Sequence, residues 1–329
     1  MRLLVLGGTH HVGRAVVETA LARGDDVVTI NRGRTGVTLP GVEARHADRL
    51  DLDSMRGALG DEAFDAVVDT WSHAPVAVRD SARLLSGRAG HYTYVSSRSV
   101  YRWPPPRGLD ESAAVVEADP ASTEDGDYAA DKRGGELAVQ QEFDGPTMCA
   151  RAGLIIGPYE NVGRMPFWLK RIAAGGRVPA PGPYDQPLQY IDARDLARWT
   201  LDHQPVGVFN TVSRRGHATM GELLDECVRV TGSDAELVWL TPEVVEAAGV
   251  APWTELPVWV PPDSEYAAMH DGDVSAAYDA GLVCRPVAET IEDTWAWLER
   301  EGAPDPATSR GGTGMDAAAE QRLWDAADR

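Results

Sequence analysis

Short apolar runs alternate with amphipathic stretches along the first half of the chain. Residues 3–6 form an unbroken apolar run that stops at Gly7-Gly8, the pattern of a strand buried on both faces. Residues 12–23 carry apolar positions at helical spacing and end at Gly24. Val27-Val28-Thr29-Ile30 predicts a second strand, and residues 42–45 a weaker third. Leu52–Leu59 reads as a helix, Ala66-Val67-Val68-Asp69 as a fourth strand, Val76–Leu85 as a helix and residues 91–95 as a fifth strand. Residues 101–126 are rich in Pro, Asp and Glu and read as a long loop, a feature that in compact domains is usually functional or mobile. A helix over residues 128–143 and a sixth strand over 147–151 complete the series. Strand–helix alternation of this kind predicts an α/β protein with a doubly wound parallel sheet and right-handed crossovers.

Beyond Gly157 the pattern breaks. Gly175, Gly176, Pro179, Pro181, Gly182, Pro183 and Pro187 interrupt the chain. Residues 208–212 look like one more strand, and residues 220–231 and 286–300 like amphipathic helices. The expected division is a dinucleotide-binding domain over 1–156, then a smaller α+β lobe over 157–301 with some elements returning to the first domain. Residues 302–329 read as a linker followed by a terminal helix over 315–327.

Composition narrows the class. The formal charge of −20 argues against a broad basic surface for nucleic acid, so no nucleic-acid partner is expected. Three cysteines lie far apart without a C-x-x-C pair, which speaks against a disulfide framework and a zinc site; no metal is expected. The N-terminal apolar run is too short for a signal peptide, and no stretch of roughly 18 apolar residues predicts a membrane span. A cytoplasmic location is the default expectation.

Two motifs carry chemistry. Gly7, Thr9, His10, His11, Val12 and Gly13 form a glycine turn between the first strand and the first helix, where backbone N–H groups and the helix dipole suit a dinucleotide pyrophosphate. His10 stands where a middle glycine is usual. The second strand ends in Asn31-Arg32-Gly33-Arg34 rather than in an acid. Guanidinium groups at Arg32 and Arg34 suit a 2′-phosphate, with His10 assisting, so NADP is favoured and NAD is the alternative. Ordinary exposed loop arginines are the plainer explanation. Asp48 follows the third strand and is either an acceptor for the adenine amino group or a turn residue.

Tyr128 and Lys132 are i and i+4 on one helix face. An ammonium near a phenol lowers its pKa and suits it to acid–base work, while Lys132 can also hydrogen-bond the nicotinamide ribose. Ser96 and Ser97 close the fifth strand, at the sheet edge where open α/β proteins bind ligands. Alone, a Y-x-x-x-K pair is usually no more than surface solvation.

These pieces together resemble an extended or atypical short-chain dehydrogenase/reductase of the NAD(P)-dependent epimerase/dehydratase type. The matching segments are GGTHHVGR at 7–14, INRGR at 30–34, YVSSRSVY at 94–101, YAADK at 128–132, RAGLIIGP at 151–158 and YIDARDLA at 190–197. The resemblance implies a Rossmann-type domain, a catalytic set of Ser97, Tyr128 and Lys132 with Ser96 as second choice for the serine, and a C-terminal substrate lobe. Asp69, Thr70, Ser96, Gly153 and Leu154 are then expected at the cofactor. It also implies a homodimer through the Tyr128 helix.

Departures shape the reaction expected. Arg98-Ser99 follows Ser97 where dehydratases of the family carry Asp-Glu, and Gln186-Pro187-Leu188-Gln189 lacks the arginine that grips a nucleotide-sugar diphosphate. Trp71 replaces a small residue after the fourth strand. Trp71, His73, Arg98 and Trp103 are candidates to touch substrate, with plain packing as the alternative. The leading expectation is a reductase or dehydrogenase moving hydride between nicotinamide and a small-molecule carbonyl or alcohol. The alternatives are an epimerase with retained NAD(P) acting on a sugar or sugar nucleotide, and a non-catalytic NADP-sensing or RNA-binding relative.

Overall fold

A computed structural model describes residues 1–34, 37–302 and 313–329. The chain forms two compact units. The first takes residues 1–153, 193–211 and 273–283; the second takes 154–192, 212–272 and 284–329. The linker expected just after residue 302 lies mostly outside the described residues. Among the described residues no helix is long and apolar enough to cross a membrane.

The first unit begins with strand β1 (Arg2–Leu6), helix α1 (His11–Ala22), β2 (Asp26–Asn31) and β3 (Val42–His46). Then come α2 (Leu52–Leu59), β4 (Ala66–Asp69), α3 (Val76–Leu85), β5 (Tyr92–Ser97), α4 (Tyr128–Glu142) and β6 (Thr147–Ala152). The strand Gly207–Thr211 returns to pair with β6, preceded by the helix Ala193–His203. The sheet order is β3-β2-β1-β4-β5-β6 followed by this last strand, and every pairing is parallel. Central strands explain the apolar runs: Leu3, Leu4 and Val5 are fully buried, as a strand covered by helices on both faces requires. The edge strand β3 reads Val-Glu-Ala-Arg-His and is largely exposed, its charges discouraging edge pairing.

The order reverses between β1 and β4, so the loops after these strands open a crevice at the carboxyl edge. Register sets the heights there. Leu6 pairs with Ile30 and with Asp69, and Asp69 pairs with Tyr94. β4 stops at that row, whereas β5 runs on through Val95 and Ser96 to Ser97 with only β6 beside it.

A buried ion pair closes β4. The Arg49 guanidinium donates both Nη1 and Nη2 to Asp69, at 2.6 and 2.7 Å. Nη2 also donates to the Ala77 carbonyl and the Ser81 hydroxyl, and Tyr92 Oη donates to Asp69 Oδ2 at 2.7 Å. Arg49 is 4% exposed and Asp69 is wholly buried.

The second unit has its own core, in which Trp168, Trp259 and Tyr190 are fully buried. Three two-stranded ladders frame it: Leu154–Ile156 with Tyr190–Asp192, Arg177–Pro181 with Glu236–Leu240, and Pro187–Leu188 with Ala218–Thr219. Because residue 154 opens the first of these ladders, the division falls after Gly153 rather than after residue 156. The helix Met220–Thr231 starts with a capping box between Thr219 and Glu222 and stops at Gly232. The terminal helix Ala317–Ala327 is held by a bidentate Arg171–Glu320 pair and by Arg177 over the Trp324 ring.

Removing one partner of a buried ion pair leaves an uncompensated charge. Arg49→Met is therefore expected to lower stability by about 3–5 kcal/mol in urea unfolding. Arg83→Met, at the exposed Arg83–Glu142 pair, leaves the unfolding midpoint unchanged in the same assay.

Candidate active site at the carboxyl edge of the sheet

The glycine turn is built for a close approach. Gly7 and Gly8 have φ of 127° and 96°, a region that side chains disfavour. A Cβ on Gly13 would lie 2.7 Å from the Gly8 nitrogen, so α1 packs on the turn only because Gly13 has none. A Cβ on Gly7 would collide with the Thr70 hydroxyl, which donates to the Leu6 carbonyl at 3.1 Å. Thr9 and His10 are half-buried, and His10 stands at the N-cap position of α1 without a side-chain cap bond, with His11 and Val12 in the first turn. Asn31 ties this turn to the end of β2: its Nδ2 donates to the Gly7 carbonyl at 3.3 Å, and its Oδ1 accepts from Gly33 N at 2.8 Å. Arg32 and Arg34 are exposed beyond it. A narrow glycine cradle ending in a helix N-terminus, with two cations at the next strand end, fits a dinucleotide.

Asp127 caps α4 by accepting from Ala129 N, which makes Tyr128 the first helical residue and leaves it 44% exposed. One turn on, Lys132 is 3% exposed, and a buried ammonium needs oxygen acceptors. Its Nζ donates to the carbonyls of Val95 at 2.7 Å and Trp71 at 2.6 Å. The first belongs to the stretch of β5 that outruns β4; the second belongs to the turn after β4. Asp131, in the same turn of the helix, accepts from Gly126 N. Burial pushes its carboxyl above the usual range, and Asp125 and Asp127 add to the effect.

α4 sits this close to the sheet because Gly134 and Gly135 carry no side chains. A Cβ on Gly135 would fall inside the Tyr94 phenol, and one on Gly134 would lie 2.5 Å from Pro75. Further along, Glu136 is fully buried between Arg151, Arg133 and Ser96. Arg151 donates Nε and Nη2 to its two oxygens at 2.9 and 3.0 Å, Arg133 donates at 2.8 Å and Ser96 Oγ at 2.7 Å. The Arg151 guanidinium lies 4.9 Å from the Tyr101 ring centre, and Tyr101 Oη donates to Asn210 Oδ1.

Several of the expected site side chains have protein partners. The Asp69 carboxylate is taken up by Arg49, Tyr92 and the Trp71 N–H. The Ser96 hydroxyl is committed to Glu136. Asp48 is exposed and accepts from Leu50 N. Ser97 keeps its place at the end of β5, 8% exposed, its Oγ accepting from Ser99 N and donating to Ser99 Oγ at 3.1 Å. Trp71 is half-buried, its indole donating to the Ala74 carbonyl under the Arg49 guanidinium. His73 is exposed, edge-on to Trp71, with its Nδ1 3.2 Å from Asp125. Arg98 is half-buried directly after Ser97, Trp103 is exposed in the long loop, Gly153 follows β6, and Leu154 falls in the second unit. Sequence reasoning missed Gly8, Tyr94 and Gly135. The double glycine inside a helical pattern was the available signal for the last.

Residues 3–202 match the NAD dependent epimerase/dehydratase family. The chloroplast stem-loop binding protein of 41 kDa b from Arabidopsis thaliana is 25% identical over 262 residues, 74% of this chain and 66% of that protein, just short of two thirds of its length. The structure of WbmH from Bordetella bronchiseptica in complex with NAD+ has a TM-score of 0.69 at 18% identity, covering 92% of this chain and 99% of that one. UDP-glucose 4-epimerase from Thermotoga maritima with UDP-glucose has a TM-score of 0.64 at 16% identity, covering 91% and 99%. At these identities the likeness to the solved structures is one of fold. The family match spans more than half of the chain, which belongs to the NAD dependent epimerase/dehydratase family, a group of short-chain dehydrogenase/reductase enzymes.

Proposed function

We propose that the chain is an NADP-dependent reductase or dehydrogenase acting on a small-molecule carbonyl or alcohol. The observation that carries this reading is the Lys132 ammonium, buried on two carbonyls at the sheet edge and one helical turn from the exposed Tyr128 phenol. The glycine turn from Gly7 to Gly13 would hold the pyrophosphate, Arg32 and Arg34 the 2′-phosphate, Lys132 the nicotinamide ribose, and the Gly153 backbone would border the ring. The bound nicotinamide supplies the hydride donor or acceptor. Tyr128 Oη gives a proton to the substrate oxygen on reduction, or takes one on oxidation, and the Ser97 hydroxyl orients that oxygen. The Lys132 ammonium favours the phenolate that this exchange creates. A homodimer through the Tyr128 helix belongs to the same reading.

Epimerisation of a sugar or sugar nucleotide with retained NAD(P) is the second reading, favoured by the epimerases among the similar structures. The two differ in stoichiometry: a reductase consumes NADPH, and an epimerase purifies with its dinucleotide and needs no net input. Stem-loop binding, named for the Arabidopsis relative, would have to overcome the −20 charge at long range.

Two measurements test the proposal. In a panel of carbonyl and alcohol substrates followed by nicotinamide absorbance, Tyr128→Phe should lower turnover by about a hundredfold or more. An unchanged rate removes the proton-transfer role. In fluorescence titrations the protein should bind NADPH more tightly than NADH. Arg32→Ala with Arg34→Ala should weaken NADPH by roughly ten- to a hundredfold while leaving NADH unaffected. A preference for NADH in the unaltered protein removes the NADP assignment.

A further inference from the structure

We propose that Tyr94 and the turn from Asp69 to Trp71 form a positioning unit for the Lys132 ammonium. The inference rests on the acid–base reading of Tyr128 and Lys132 and assigns them a support that chain spacing does not reveal.

The Trp71 carbonyl is the shared acceptor at the centre of the unit. Lys132 Nζ donates to it at 2.6 Å and Tyr94 Oη at 3.1 Å. Trp71 itself is restrained at its backbone N–H and at its indole. The Trp71 N–H donates to Asp69 Oδ1 at 2.9 Å, and the indole Nε1 donates to the Ala74 carbonyl at 3.0 Å. The indole also lies under Arg49, whose guanidinium carbon is 5.1 Å from the ring centre. The Arg49–Asp69 pair therefore holds in place the residue whose carbonyl receives the ammonium. Tyr94 adds a second restraint, because Lys132 Nζ lies 5.0 Å from its ring centre, within cation–π range. Tyr94 is wholly buried, and burial holds its phenol well above the usual range, so its hydroxyl stays a donor at any pH where the fold is intact. Gly135 leaves the space that this hydroxyl occupies.

A ring that merely packs does not need its hydroxyl, and Tyr94→Phe separates the two roles. The readout is the exchange of the Lys132 ammonium protons with water, followed by NMR in protein labelled with nitrogen-15 at lysine Nζ, beside NADPH affinity by fluorescence. The Lys132 resonance is identified by its loss in Lys132→Met, and the exposed Lys170 serves as a control. Tyr94→Phe should speed exchange of the Lys132 protons about tenfold and weaken NADPH about threefold, because the ammonium loses a restraint but remains. Lys132→Met should weaken NADPH by about tenfold or more and lower turnover on the substrate panel by about a hundredfold. If Lys132→Met has these effects but Tyr94→Phe leaves exchange and affinity unmoved and only lowers the thermal midpoint, the positioning unit is overturned and the acid–base reading stands. If Lys132→Met leaves NADPH affinity and turnover unmoved, the acid–base reading fails and takes this inference with it.

Discussion

Glu136 has no exposed surface, and a carboxylate in that position is tolerable only with full pairing. Arg151 from β6 grips it with two bonds, Arg133 from its own helix adds a third and Ser96 from β5 a fourth. These four bonds can all form at one height and one rotation of α4 against the sheet. Fixing that height also fixes where the two preceding turns of the helix lie. Lys132 comes one turn earlier, where β5 has outrun β4, and Tyr128 one turn earlier again, where the helix emerges into solvent. The placement of Tyr128 and Lys132 at the edge of the sheet thus depends on a charge pair buried behind it. The same arginine reaches the Tyr101 ring, and Tyr101 reaches Asn210 on the last strand, so the long loop and the last strand share the constraint.

Both units combine an apolar core with buried charges. The first threads ion pairs, Arg49–Asp69 and Glu136–Arg151, through its interior at the carboxyl edge of the sheet. The second packs Trp168, Trp259, Tyr190 and aliphatic side chains, and also buries Glu160 beside Arg164 and Asp192 beside Arg285. Directional bonds hold side chains to a single arrangement, whereas apolar packing tolerates exchange among shapes of similar volume. The overall charge of −20 also matters here. Such a chain repels a phosphorylated ligand at a distance, so on the proposed function attraction would have to be local, from N–H groups of a helix terminus and from Arg32 and Arg34.

Much of this fold was legible because buried parallel strands write themselves as apolar runs. Leu52–Leu59, Ala66–Asp69 and Val76–Leu85 are found with the bounds their patterns predicted. β5 was read two residues short, because Ser96 and Ser97 look like a loop while being strand. In the second unit the helices Met220–Thr231, Val287–Glu301 and Ala317–Ala327 were legible, but the strands were not. Its strands Pro187–Leu188 and Ala218–Thr219 have two residues each, too short for any period, and Arg177–Pro181 contains two prolines that argue against a strand. At the site, Tyr128, Lys132 and the glycines were legible as types at fixed spacing. The uses of Asp69 and Ser96 were not, because both depend on partners, Arg49 and Glu136, that come near only through the strand order.

That strand order also has a temporal side. β6 is complete at residue 152, but the strand that covers its free edge, Gly207–Thr211, follows only after the ladder of Leu154–Ile156 with Tyr190–Asp192 that opens the second unit. On a ribosome the nascent sheet therefore presents Met148, Cys149 and Ala150 along an open edge while tens of residues are still to be added. Asn210, which the buried tyrosine of the long loop needs as acceptor, arrives in the same late segment. The first unit is thus finished out of chain order, and its vulnerable interval during synthesis is set by the length of the insertion that interrupts it.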